Sequence, residues 1–142
     1  MEELVVRYAH FIGIMMLSSM LVAENIMIAK HLESSSIKRL VIIDGLYGFA
    51  AVLTLGAGLM LWLSVGKPKE FYTANMIFHI KLTLFVLVAL ISAIPTFFLI
   101  KNRKADSISV PGYIILIKRI ELALIAVIPM LAVLMARGVG LE

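Results

Sequence analysis

Between residues 82 and 100 the chain reads LTLFVLVALISAIPTFFLI, a stretch without a single charged side chain. A helix needs about 20 mostly apolar residues to cross the hydrocarbon core of a bilayer. The run that contains this stretch, Ala74–Ile100, is long enough to do so. Working outward, three further runs meet the same condition, at about Leu4–Ala29, Ile37–Val65 and Tyr113–Ala136. All four are continuously apolar and do not alternate, which favours helices over a membrane β-barrel. The connections HLESSS, GKPKEFYT and KNRKADSISVPG are short and polar. Short connections make consecutive helices antiparallel. The expected fold is all-α, an integral membrane four-helix up-down-up-down bundle forming one transmembrane domain over residues 1–140. Leu141-Glu142 are set aside as a suspected cloning remnant.

Composition agrees with that assignment. The 142 residues are 62% hydrophobic and 15% charged, whereas soluble domains sit near half apolar and a quarter charged. With no cysteine, disulfides, thiolate metal sites, iron–sulfur clusters and a cysteine nucleophile are excluded. The first apolar run follows Glu2-Glu3 and is long enough to span, so it does not read as a signal peptide. The net charge of +4 comes from basic residues in the short connections. That distribution marks membrane orientation, and no motif points to a nucleic-acid partner. Lys30, Lys38 and Arg39 flank the first connection, and Lys101, Arg103 and Lys104 lie in the third. Arg7, Lys67, Lys69 and Arg137 belong to the other side. The positive-inside rule then puts the first and third connections in the cytoplasm of a bacterial inner membrane, with both termini outside.

Small and ring residues describe how such helices would pack. Gly45 with Gly48, and Gly56 with Gly58, offer flat surfaces for close backbone approach. Pro95 and Pro129 interrupt the backbone bonding of helices three and four. Trp62, Phe71, Tyr72 and Phe78 gather at the outer boundary as an aromatic belt.

Ionisable residues inside the spans carry the functional information, because a charge near the bilayer centre is costly. An outer layer holds His10, His79 and Lys81. His10 lies ~9 Å and His79 ~7–8 Å inside the starts of their helices, so the imidazoles could share a level. Two such histidines could ligate the iron of haem b, with Lys81 meeting a propionate. The plainer alternative makes the histidines hydrogen-bonding bundle residues and Lys81 an interface anchor. An inner layer holds Glu24, Asp44, Tyr47 and Glu121, with Lys118, Arg119, Lys38 and Arg39 near the same surface. Asp44, Tyr47 and Gly48 share a helix face at i, i+3, i+4 spacing. The carboxylates either pair with those cations and fix the inner rim, or form a proton path or an anchor for a charged ligand. Glu24 favours the second option, being flanked by apolar residues before its helix ends.

Two segments carry a family resemblance. Tyr8-Ala9-His10-Phe11-Ile12-Gly13-Ile14 resembles the Ala-Leu-His-Ile-Ile-Gly segment of HemJ-type protoporphyrinogen oxidases. Phe78-His79-Ile80-Lys81-Leu82 resembles the aromatic-x-His-x-Lys-Leu segment of their third helix region. The CopD-type copper-resistance domain is a related group. This resemblance covers the starts of two helices. It implies a small inner-membrane protein associated with haem b, with His10 in the position of the iron-ligating histidine and porphyrinogen oxidation as the activity. Over nearly its whole length the chain is similar to a family of small predicted bacterial membrane proteins without an assigned function. The matching features are His10, Ala23-Glu24, Asp44 with Leu46-Tyr47-Gly48, Phe71-Tyr72, Lys81, Pro95-Thr96, Glu121 and Met135-Ala136-Arg137-Gly138.

Three functions are therefore expected to compete. The first is a haem- or porphyrin-binding redox protein. The second is a non-catalytic accessory or structural membrane protein. The third is a small proton-coupled transporter using Glu24, Asp44 and Glu121. The expected partners are the lipid bilayer, a porphyrin ligand and a second copy of the chain.

Overall fold

The computed structural model describes residues 2–65 and 76–137. Four helices carry the fold: α1 Glu2–Met27, α2 Ser34–Met60, α3 Met76–Lys101 and α4 Gly112–Ala136. Glu2 and Glu3 occupy the first turn of α1, where negative charge meets the positive end of the helix dipole. The last turn of α2 passes into a π-helical turn, Leu61–Val65. There the Leu61 N–H is shared between the carbonyls of Ala57 and Gly58. Helices α3 and α4 run through Pro95 and Pro129 without ending.

Two short strands, unforeseen in the sequence, join the first and third connections. Strand β1 His31–Glu33 pairs antiparallel with β2 Ser107–Ser109, in the register His31↔Ser109, Leu32↔Ile108 and Glu33↔Ser107. The ribbon is extended at both ends by backbone bonds, from Ser34 N–H to the Asp106 carbonyl (2.8 Å) and from Val110 N–H to the Lys30 carbonyl (2.7 Å). The first of these also serves the start of α2. Glu33 stands there in extended conformation, and its side chain makes no capping bond. A backbone carbonyl thus takes one of the N–H groups that a helix start leaves unpaired.

Helix α1 packs most extensively on α2, and α3 on α4, with narrower α1–α4 and α2–α3 seams. The interior is layered. Next to the ribbon lies an apolar cluster of Ile28, Leu32, Ile37, Leu40, Leu99, Val110 and Ile114. Farther along lies a second, with Leu17, Leu21, Tyr47, Ala50, Val88 and Ile125. On α1, α2 and α4 the charged core residues fall between these two clusters. Glu24 lies between Leu21 and Ile28, Asp44 between Leu40 and Tyr47, and Lys118 and Glu121 between Ile114 and Ile125.

The outside is the reverse of a soluble protein's. Ile26, Val52, Leu90 and Phe97 are exposed, while Glu24, Lys118 and Glu121 have no exposed surface at all. Charged residues are almost never fully buried in water-soluble proteins unless paired. An apolar exterior of this extent suits lipid contact. Among the described residues, three helical segments, Glu2–Met27, Ser34–Leu63 and Phe78–Lys101, are long and apolar enough to cross a membrane. That is one fewer than the four apolar spans expected from the sequence. The fourth expected span, α4, carries Lys118, Arg119 and Glu121 within its length.

The glycines also differ from expectation. A Cβ at Gly45, Gly48 or Gly56 would meet nothing within 4 Å, so these positions face open space and are not close helix contacts. Of the expected four, Gly58 is a place of close approach, where a Cβ would sit 3.1 Å from His10 Cε1; the other is Gly13, where it would sit 2.6 Å from Thr54 Oγ1.

Candidate functional site

The buried stripe of α4 runs Ile114, Lys118, Glu121, Ile125, a spacing that keeps all four on one helix face. Lys118 is therefore carried into the core by the same periodicity that buries its apolar neighbours. Its Nζ lies 2.7 Å from Glu24 Oε2, 3.4 Å from Asp44 Oδ1 and 3.4 Å from Glu121 Oε2. One ammonium thus joins carboxylates from α1, α2 and α4. It also lies 4.8 Å from the centre of the Tyr47 ring, within cation–π range.

Hydroxyl groups complete the cluster. Tyr47 donates its O–H to Glu121 Oε1 at 2.9 Å, and Thr96 of α3 donates to Asp44 Oδ2 at 2.6 Å. All four helices therefore contribute. Glu24 Oε1 is buried without a hydrogen-bond partner among the described residues. Beside the cluster, Arg119 donates to the backbone carbonyl and to Oδ1 of Asn25, the second bond at 3.0 Å. Asn25 Nδ2 in turn donates to the Leu21 carbonyl at 2.8 Å. Burying charges costs several kcal/mol per ion, and close pairing with satisfied hydrogen bonds is what offsets it.

The structure brings Glu24, Asp44, Tyr47 and Glu121 into one cluster. Lys118, which sequence alone assigned to the neighbouring rim, is its hub. The signal was its place in the Ile114–Ile125 stripe, i, i+3 from Glu121.

The three outer residues are arranged differently. His10 lies in the α1–α2 contact, where its Nδ1 stands 2.9 Å from the Thr54 carbonyl oxygen. A carbonyl only accepts, so Nδ1 carries the proton. His79 is exposed and lies 5.4 Å from the Phe78 ring, centre to centre. It lines a shallow groove with Met76, Ile80, Thr83 and Leu84, all of α3. Lys81 is half-buried on the same helix. Of the expected aromatic belt, Trp62 and Phe78 meet at 5.0 Å between ring centres. Phe71 and Tyr72, like Lys67 and Lys69, lie outside the described residues. No cluster of three or more metal-ligating side chains occurs among the described residues.

Apolar helices of membrane-spanning length around a buried ionic cluster define a helical membrane protein. The chain belongs to the family described as "Predicted membrane protein (DUF2214)", whose family model matches residues 2–140. Neither a curated protein nor a solved structure matches it.

Proposed function

We propose that this chain is a non-catalytic integral protein of the bacterial inner membrane whose Lys118 cluster is a proton-exchanging centre. The observation that carries this is a charge count: three buried carboxylates surround one ammonium. A dry interior does not tolerate uncompensated charge. The acidic groups in excess of the ammonium are therefore balanced by protons, or by a cation, taken up from outside. Tyr47 and Thr96 supply hydroxyls that both donate and accept, as a proton relay requires.

The bundle crosses the bilayer four times in up-down-up-down order. What supports the α4 crossing is that Lys118 and Glu121 are turned wholly inward, so that the one charge left on its outer side is Arg119, bonded to Asn25. The β1–β2 pairing sets the first and third connections side by side. Lys30, Lys38, Arg39, Lys101, Arg103 and Lys104, all exposed, are at or next to these connections. That end is cytoplasmic by the positive-inside rule, and both termini are outside.

The test is infrared difference spectroscopy of the purified protein between mildly acidic and mildly alkaline buffer. A buried carboxyl band that titrates, and that shifts or disappears in Glu121→Gln or Glu24→Gln, is the expected result. A protein with no titrating buried carboxyl band would not be a proton-exchanging one.

One observation favours a second function. Donation of Nδ1–H to the Thr54 carbonyl fixes the His10 ring and leaves Nε2 with its lone pair, the state in which histidine ligates a metal. His10 would hold the haem iron through Nε2, and the haem would supply electron-transfer chemistry when bound. A shared site with His79 has less support, because the groove beside His79 is built from α3 alone. If His10 does ligate haem, the purified protein has a Soret band that shifts on reduction and is lost in His10→Ala. A colourless protein that takes up no added haem sinks this alternative.

A further inference from the structure

The narrow α2–α3 seam holds a cavity of about 450 Å³, within the 300–1,000 Å³ typical of small-molecule sites. Its wall is mostly apolar, with Leu17, Ala51, Phe85 and Val88 among the lining. Against this stands one polar patch, formed by Asp44 and Tyr47 of α2 and Ser92 and Thr96 of α3. Val52 and Ile100 on its rim are 72% and 44% exposed, so the cavity opens on the flank of the bundle. Gly45 and Gly48 keep it open, since a Cβ on either would enter unoccupied space.

We infer that this cavity binds a lipophilic monocation, a compound with a protonated amine and an apolar body. The inference rests on the unbalanced acid count of the Lys118 cluster, and it names what else can supply the missing positive charge. Asp44 belongs to both structures. It touches Lys118 and Thr96 inside the cluster and also faces the cavity. A carboxylate offers about four lone-pair sites, so two partners leave Asp44 able to accept from an ammonium on the cavity side. Ser92 and Thr96 add hydroxyl oxygens beside it. The apolar wall then receives the body of the molecule, which reaches the side opening through the lipid phase. A neutral amphiphile would fill the same volume without correcting the charge, and an anion would worsen it. Cation and proton therefore compete for one deficit, and binding of the amine releases a proton.

The experiment is isothermal titration calorimetry of the detergent-purified protein with phenylbutylamine and with its neutral counterpart phenylbutanol. Saturable amine binding is expected, with the alcohol weaker by about tenfold or more, the scale of one close charge pair. Asp44→Asn should remove the preference for the amine. Gly48→Leu, which fills the cavity beside Asp44, should abolish binding while the unfolding temperature is kept. Equal affinity for amine and alcohol would make the cavity an acyl-chain groove and overturn the proposal. So would binding that survives Gly48→Leu, or a stable dimer that binds neither compound. Paired titrations in buffers of different ionisation enthalpy separate the two claims. Amine binding without proton release leaves the cavity site standing and removes the proton-exchanging centre. A titrating carboxyl band in a protein that binds no amine does the opposite.

Discussion

Lys118→Met should destabilise the folded protein by about 3–5 kcal/mol, the usual effect of removing one partner from a buried ionic group. Methionine matches the length of the lysine stem but leaves Glu24, Asp44 and Glu121 gathered around no cation. The apolar layers on either side separate those carboxylates from the two ends of the bundle. Reversible unfolding in mixed micelles measures the effect. Because the defect is unpaired negative charge, it should shrink as pH falls and the carboxylates take up protons. It should also shrink when Glu24→Gln, Asp44→Asn and Glu121→Gln are added together, since neutral amides carry no charge to be balanced. Arg119→Met should cost less, because Arg119 is exposed and, among the described residues, its side chain bonds to Asn25 alone. A Lys118→Met protein as stable as the parent at every pH would mean that the cluster is not held together by its ammonium.

Gly13→Ala should cost about 1–3 kcal/mol, the range for forcing an extra carbon into a packed interior. The added Cβ would lie 2.6 Å from Thr54 Oγ1, and also 3.1 Å and 3.3 Å from the Thr54 backbone N and Cα. A rotating hydroxyl could relieve the first contact, but the other two are helix backbone. Relief therefore requires α1 to move away from α2. That movement would also stretch the bond from His10 to the Thr54 carbonyl, one turn away on α1. The pair Gly13→Ala with Thr54→Ala should accordingly remain destabilised. Gly48→Ala is the control: its Cβ meets open space, and the change should stay within about 0.5 kcal/mol of neutral or mildly stabilise the helix. Full recovery in the Thr54→Ala background would show that the hydroxyl, not the backbone, sets the spacing of these helices.

The apolar runs were legible because the bilayer condition acts on local composition, and each run can be judged without knowing its neighbours. Residues such as Asp44 and Tyr47 were legible for a related reason, since helical spacing alone sets them on one face. Lys118 was harder to place. Beside Arg119 it reads as part of a basic rim, and only its phase relative to Ile114 and Ile125 separates the inward lysine from the outward arginine. The ribbon left no local trace. His31-Leu32-Glu33 and Ser107-Ile108-Ser109 are too short to show alternation, and their pairing joins segments more than seventy residues apart. Glycine misled for a similar reason. A missing side chain permits close approach at Gly58 and a cavity at Gly48 equally well, and the partner decides which occurs.

The ribbon has a mechanical consequence. It fastens the α1–α2 hairpin to the α3–α4 hairpin at one end, and the shared ammonium clamps three of the helices just inside that end. At the opposite end, where α2 passes into its π turn, the Trp62–Phe78 ring contact and the chain running on from α2 to α3 join the hairpins again. The flank opening between α2 and α3 therefore lies along a span fastened at both ends, so a guest reaches it from the side and the charge beneath it stays clamped.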